Sequence, residues 1–425
     1  MNLSITELPY LKNTNSLLAN LRRLGSLCAL ESASSNHENG RWSIITAAPI
    51  QTITKNKMDT DDWKKVEELR SVLPSMETHL PFTGGVIGHI CYSSGMKASP
   101  KSVFYNLYTW AFVLDHIKKK AYLTYWGDIS QINKQVLEDI YKCQKAHSRK
   151  PFILTRHFKA LWSKNTYTEN INKIHNYILS GDAYQINLTQ KFSGEYKGSP
   201  LDAYNRLKGQ SHSPFLSYFE AGNRTLASLS PEQFIECQGE TVTTKPIKGT
   251  VPRSGDPITD LANIDYLKES NKDMAENLMI TDLLRNDLAK NCTNIKVPKL
   301  FSIESFETVH HLVTTVTAKK PKNVSIFKVF QDAFPGGSIT GAPKKRAMEI
   351  INELEDFSRD FYCGCSFFYS SCGKFNSNIL IRSFVFEDGQ VHCWAGGAIT
   401  IDSTADGEYQ ESLDKISRLM SVLED

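Results

Sequence analysis

Lys248 stands in the run Lys245-Pro246-Ile247-Lys248-Gly249-Thr250-Val251-Pro252, where two prolines and a glycine frame a single amine. A neutral lysine amine is a nucleophile, so such a frame suits covalent chemistry. The plain alternative is a solvated surface cation. Glu232, in Ser230-Pro231-Glu232, has Leu229 and Phe234 for neighbours. Partial desolvation there raises a carboxyl toward the range of a general acid. Glu276 and Glu411 each sit four residues from a lysine, Lys272 and Lys415. That is the spacing of an ordinary ion pair on a helix surface. Two carboxylates converging from two helices would instead suit Mg²⁺, which leaves its other positions to water and an anionic substrate. The glycine-rich stretch from Phe334 to Lys344 includes Thr340 and Gly341 and runs into a helix start, where free amides favour an anion. It lacks the Gly-Lys-Ser/Thr ending of a phosphate loop, which points to a carboxylate. Ala395-Gly396-Gly397-Ala398 offers small-residue amides of the same kind.

The elements that must hold these groups can be read from periodicity and turn chemistry. Two short strands, 234–237 and 241–244, meet across Gln238-Gly239. Pro246 and Pro252 are expected to stop the ladder, leaving Lys248 at a strand end with Gly249 open to a ligand. A long helix over 261–288 carries Glu276, and a last helix over 408–423 carries Glu411. Pro343 opens a helix to about residue 354. Residues 379–386 and 391–395 form a hairpin. Ile171, Ile174 and Ile178 share a helical face that Gly181 ends, and a strand follows over 183–189. The first third is β-rich, with strands in 40–45, 82–92, 110–116 and 121–126 and helices over 61–73 and 131–144. Residues 145–165 read as a connection. Strands and helices do not alternate strictly, so the expected class is α+β with antiparallel sheets, not a doubly wound fold.

Composition bounds the function. The 425 residues are 40% hydrophobic and 22% charged, as in ordinary globular proteins. A net charge of +3 without clustered cations leaves no nucleic-acid footprint. No apolar run reaches membrane-spanning length, and the first residues do not read as a secretion signal. Nine cysteines without a repeating frame suggest reduced thiols and a cytoplasmic setting. Cys363 and Cys365, two apart, are expected on one strand face as buried thiols and not as a zinc site.

Together, the stretches Lys245 to Thr250, Ala275-Glu276-Asn277-Leu278-Met279-Ile280, Asp282 to Asp287, His310-His311-Leu312-Val313, Phe334 to Lys344 and Glu408 to Lys415 resemble the chorismate-utilising enzymes. The likeness is dense from about Tyr167 onward and thinner before it. It implies the anthranilate synthase component I fold, with large antiparallel sheets packed together and helices outside. It also implies an N-terminal region, 1–145, interleaved with a catalytic region, 165–425. Within the family Lys248 marks the aminodeoxychorismate branch, because the anthranilate synthases carry alanine there. The implied roles are Lys248 as nucleophile on chorismate, Glu232 as acid, and Mg²⁺ on Glu276 and Glu411. His311 is placed near the C4 hydroxyl, and Thr340 and Gly341 lie in the substrate loop. Arg382, Lys415 and the amides of Gly396, Gly397 and Ala398 are assigned to carboxylates. Where the family has Gly-Tyr this chain has Phe367-Phe368, which implies a missing tyrosine hydroxyl near the substrate carboxylate. Glu31, Ser32, Pro214 and Phe215 resemble a pocket that holds tryptophan in relatives. No glutaminase region is recognisable, so ammonia is expected from a separate glutamine amidotransferase subunit. The rival readings are an anthranilate synthase large subunit, which lacks the lysine, and a non-catalytic binder of chorismate or tryptophan.

Overall fold

Trp110 and Phe112 point to one side of their strand, Ala111 and Val113 to the other, yet all four are buried. A continuous apolar run of that kind needs a sheet covered on both faces. In a computed structural model, in which residues 1–34, 38–92, 101–143 and 150–425 are described, that sheet has twelve strands. Its far face packs Ala29, Ile45, Phe112 and Leu123 under the helices Asn15–Leu21, Lys134–Lys142, Pro200–Gly209 and Ser417–Glu424. Its near face, with Cys28, Ile44 and Val113, shares a core with Val86, Ile87 and Tyr105 of a second sheet of ten strands. The contact between the sheets is direct: the His89 ring stacks on Phe219 at 4.0 Å. Helices Asp62–Ser71, Asn271–Ala289, Ile326–Ala333 and Lys344–Leu354 add Val66, Ile280, Phe330 and Ile350 to the same core.

The strand pairings are antiparallel, as the α+β reading expects. Strands from both ends of the chain share sheets. Cys28–Glu31 pairs with Phe215–Ala221, and Gly85–Ile90 pairs with Cys365–Ser370.

Several expectations need correction. The long helix is two, Pro257–Glu269 and Asn271–Ala289, because Ser270 leaves helical geometry and caps the second by accepting from the Asp273 amide. The last helix is also two, Ala405–Asp414 and Ser417–Glu424. The connection over 145–165 contains a strand, Ile153–Ala160, on the edge of Gln185–Lys197. Its residues 145–149, and Gln144 at the end of the expected helix 131–144, lie outside the described residues. Ile379 belongs to a separate strand, Phe375–Ile379, and the hairpin itself is Ser383–Glu387 with Gln390–Ile399. Cys363 precedes the strand that holds Cys365, at a positive φ of 62°, so the two share no strand face. Both are nonetheless buried free thiols, and burial pushes Cys363 up to about 12. No helix among the described residues is long and apolar enough to cross a membrane.

Candidate active site

Lys248 is not at a strand end. Thr241–Thr244 and Ile247–Pro252 both pair with one long strand, Val309–Lys319, so the ladder resumes beyond Pro246. Pro246 has no N–H to give, but its carbonyl still accepts from the Thr314 amide at 3.3 Å. Ile247 faces Val313 and Thr250 faces His311, so three residues on one strand span two on the other. The extra residue is a β-bulge at Lys248-Gly249, a device that re-aims a side chain out of the regular alternation. Gly249 adopts φ +81°, and a Cβ there would lie 2.7 Å from Leu267 Cδ1 and 2.9 Å from Asp273 Cγ. Glycine therefore serves the close packing of two helices here, not the approach of a ligand.

Those helices carry the first carboxylate. Asn277 anchors Asn271–Ala289 on the histidine strand, donating to the Leu312 carbonyl at 3.3 Å and accepting from Thr314 Oγ1 at 2.5 Å. One residue earlier, Glu276 Oε2 lies 3.6 Å from Lys248 Nζ, with both side chains mostly buried. Lys272 Nζ lies 4.0 Å from Glu276 Oε1 and 3.9 Å from Glu408 Oε1 on the helix Ala405–Asp414. The surface-pair reading of Lys272 is thus incomplete, since its ammonium bridges two helices. Lys415 pairs with Glu411 at 2.6 Å and donates to the Gly396 carbonyl at 3.0 Å.

Electrostatics separate these acids. Burial, with Glu411 beside it, raises the Glu408 carboxyl against opposing pulls from Ser403, Lys272 and Lys415. Its Oε1 accepts from Ser403 at 2.6 Å, whereas its buried Oε2 has no partner among the described residues. Burial also acts to raise Glu411, but Lys415, then Lys272 and Lys248, outweigh it and hold that carboxyl low. Gly397 opens the space between them, for a Cβ there would come within 2.6 Å of Glu408 Oε2 and 3.6 Å of Glu411 Oε1. Among the described residues no group of three acidic, histidine or cysteine side chains is gathered to enclose a metal ion. An orphaned buried carboxylate oxygen beside a cradle kept clear by glycine nevertheless fits a hard cation that takes one or two protein carboxylates.

Glu232 lies fully inside the fold, its carbonyl bound by the Ile379 amide at 3.2 Å. Burial lifts its carboxyl to about 7, against opposing pulls from Ser338 and Lys248. That value suits a proton donor at neutral pH. Ser338 comes from the glycine-rich loop, which packs tightly: Cβ atoms on Gly336 and Gly337 would strike Ile379 and Leu283. Thr340 Oγ1 donates to the Gly336 carbonyl at 2.9 Å, and Gly341-Ala342 pairs with Gln185 and Ile186. Lys344 at the loop's end is a clamp, paired with Asp287 and donating to the Ala333 carbonyl at 2.8 Å. His311 Nδ1 meets Thr250 Oγ1 at 2.8 Å.

Arg382 adjoins this group through the backbone, its carbonyl accepting from the Leu229 amide three residues before Glu232. Burial lowers its guanidinium. Gly396, Gly397 and Ala398 pair with Thr189, Leu188 and Asn187, while the strand on their other side stops at Cys393. Their open edge leaves alternate amides unpaired by sheet. Thr250, Lys272, Ser338 and Glu408 were not singled out as site residues in the sequence. Thr250, Ser338 and Glu408 lie within stretches that carry the family likeness, but only the folded packing brings them to the others.

Glu31, Pro214 and Phe215 line a separate cavity of about 490 Å³, together with Leu30, Trp42 and Phe368, while Ser32 does not line it. Lys248, Glu232 and Glu276 do not line it either. Glu31 is already satisfied, accepting from Thr14 at 2.5 Å and Tyr204 at 2.8 Å and pairing with Lys208 at 3.2 Å. These contacts, Lys208 foremost, lower its carboxyl although burial alone would raise it. Phe368 sits T-shaped to Phe82 at 6.0 Å. Residue 368, where the family's tyrosine would stand, lines this cavity.

Known proteins resemble the chain along most of its length. The family described as chorismate binding enzyme matches residues 28–421. Aminodeoxychorismate synthase component 1 of Salmonella typhimurium is 37% identical, with 93% of this chain and 92% of that protein aligned. The Escherichia coli protein of the same name is 36% identical over the same shares. Among solved structures, anthranilate synthase component I from Streptococcus pneumoniae superposes with a TM-score of 0.78 at 26% identity, covering 89% of this chain and 92% of that one.

Proposed function

The chain belongs to the chorismate-binding enzyme family, and we propose that it converts chorismate and ammonia to 4-amino-4-deoxychorismate. The observation that carries this reading is Lys248 itself, re-aimed by a bulge and joined electrostatically to an acid poised near pH 7. Chorismate must exchange its C4 hydroxyl for an amine on the same carbon. The neutral Lys248 amine attacks C2, both ring double bonds shift around the ring to C4, and the C4–O bond breaks. Glu232 gives its proton to the departing oxygen, which leaves as water, and the lysine nitrogen returns one proton to Glu232. Ammonia then attacks C4, both double bonds shift back, and the C2–N bond breaks to release Lys248 with a proton from the incoming nitrogen. Two substitutions through the conjugated diene replace one difficult exchange.

Glu276 and Glu411 would hold Mg²⁺, with Glu408 beside them. When bound, the ion supplies positive charge for the ring carboxylate. Arg382, Lys415 and the open strand edge at Gly396 to Ala398 are assigned to carboxylate groups, and Thr340 and Gly341 shape the loop that bears Ser338. A separate glutamine amidotransferase subunit is proposed to supply ammonia, in keeping with the component 1 names of the relatives. The cavity at Glu31, Pro214 and Phe215 is proposed to take tryptophan, and the setting is proposed to be the cytoplasm.

The test is product analysis of the purified chain with chorismate, Mg²⁺ and an ammonium salt. The expected product is 4-amino-4-deoxychorismate, with 4-aminobenzoate appearing only after a lyase is added. Anthranilate and pyruvate as main products would overturn the assignment.

A further inference from the structure

We propose that Thr250 is a positioning residue for His311: its hydroxyl donates to Nδ1 and keeps the imidazole proton on Nε2, as donor to the oxygen leaving C4. This rests on the reading above that His311 meets that oxygen. Thr250 stands directly opposite His311 in the ladder, so the two side chains share a sheet face. Oγ1 and Nδ1 are 2.8 Å apart. His311 is only 3% exposed and lies edge-on to Phe306 at 5.3 Å, which limits rotation of the ring.

The pairing depends on the bulge. Removing its extra residue would slip Thr250 one place along Val309–Lys319 and set another residue against His311. The irregularity that turns Lys248 thus also sets the partner of the histidine. On the other side of His311 the strand Thr293–Ser305 presents Glu304, whose carboxylate pairs with Lys245 at 3.0 Å. The preceding residue, His310, has Ser305 on Nδ1 at 2.8 Å and Asp260 on Nε2 at 3.0 Å.

A neutral imidazole carries one N–H, and the partner at one nitrogen decides what the other offers. With Thr250 donating at Nδ1, Nε2 carries the hydrogen. As the C4–O bond breaks, its electron pair goes to oxygen and the proton comes from Glu232. His311 transfers no proton; its Nε2–H donates a hydrogen bond to the oxygen as charge builds there.

Long-range proton–nitrogen spectra of the full chain labelled at histidine, assigned with His311→Gln, read the tautomer without substrate. The parent is expected in the Nε2–H form. Thr250→Val, which keeps the branched shape, should mix the two tautomers. It should also lower kcat with ammonia about tenfold, with the KM for chorismate changed less than about twofold. Thr250→Ser should restore both tautomer and rate. An Nδ1–H parent, an unaltered tautomer and rate in Thr250→Val, or a serine variant as impaired as the valine would each overturn the proposal. A parent in the Nε2–H form that makes no aminodeoxychorismate would support this pairing and count against the reaction.

Discussion

Burial holds the Glu232 carboxyl at about 7, well above the 4.5 of an exposed glutamate, while Ser338 and Lys248 pull it back. Because the folded value is the higher one, the neutral carboxyl adds stability that is complete below about pH 4.5 and is lost as pH rises through about 7. Glu232→Gln cannot ionise and escapes that loss. Relative to the parent it should gain about 3 kcal/mol at alkaline pH and nothing at acid pH, as urea unfolding at the two extremes will show. In activity the order reverses. At constant free ammonia, the parent's kcat/KM for chorismate should fall above about pH 7. The glutamine variant should lose about 10²-fold or more, together with that limb. Lys248 calls for a different measurement. Chorismate without ammonia should give an adduct heavier than the protein by chorismate less one water, on the peptide that contains Lys248. The adduct should form more slowly above about pH 7, where Glu232 has lost the proton that the leaving oxygen needs. Lys248→Met should abolish it, and full activity with the same product in that variant would end the covalent reading.

At the scale of elements, one close approach gathers the acids. The helix Ala405–Asp414 lies so near the strand Gln390–Ile399 that Gly397 leaves no room for a methyl group beside Glu408 Oε2. The helix Asn271–Ala289 contributes Glu276 from the other side, linked to Glu408 through Lys272. Glu276→Gln, Glu411→Gln and Gly397→Ala should each raise the Mg²⁺ concentration for half-maximal activity about tenfold or more. Titration calorimetry with Mg²⁺ alone should show the same weakening. For the two carboxylate variants the unfolding midpoint should move little, because neither side chain is buried deeply in the apolar core. If all three keep the parent's metal dependence, the carboxylates do not hold the ion.

The whole molecule has its site between halves that are not separate in sequence. Strands from the first thirty residues and from residues beyond 215 are neighbours in one sheet. The cavity that Phe368 lines and the lysine site occupy different places in that frame, so a ligand in one need not touch the other. Under the proposed reaction ammonia comes from a separate subunit. With glutamine as the only nitrogen source, the isolated chain should make little aminodeoxychorismate until a glutamine amidotransferase subunit is added, whereas ammonium salts should suffice without it. Steady glutamine use by the chain alone, followed by product chromatography, would refute the need for a partner.

Much of this was legible in the amino-acid sequence, because backbone chemistry is local. The Gln238-Gly239 turn, the Gly181 helix stop and the apolar strand run from Trp110 each declare themselves within a few residues, and the antiparallel α+β class follows from such signals. The chemical types at Lys248, Glu232, Glu276 and Glu411 were also legible, since a motif preserves residue type and spacing. Tertiary structure decided what depends on distant partners. Ser270 breaks a helix whose charge pattern runs through it unbroken, and Pro246 interrupts a ladder that the strand Val309–Lys319 then resumes. Gly249 and Gly397 look alike as small residues, yet one makes room for Leu267 and Asp273 and the other for Glu408. Phe368 faces a cavity that its motif does not reveal. Periodicity assigns a residue to a face, but what lies against that face comes from elsewhere in the chain. Burial, bulge register and the convergence of charges on Lys272 therefore existed only once the two sheets had closed.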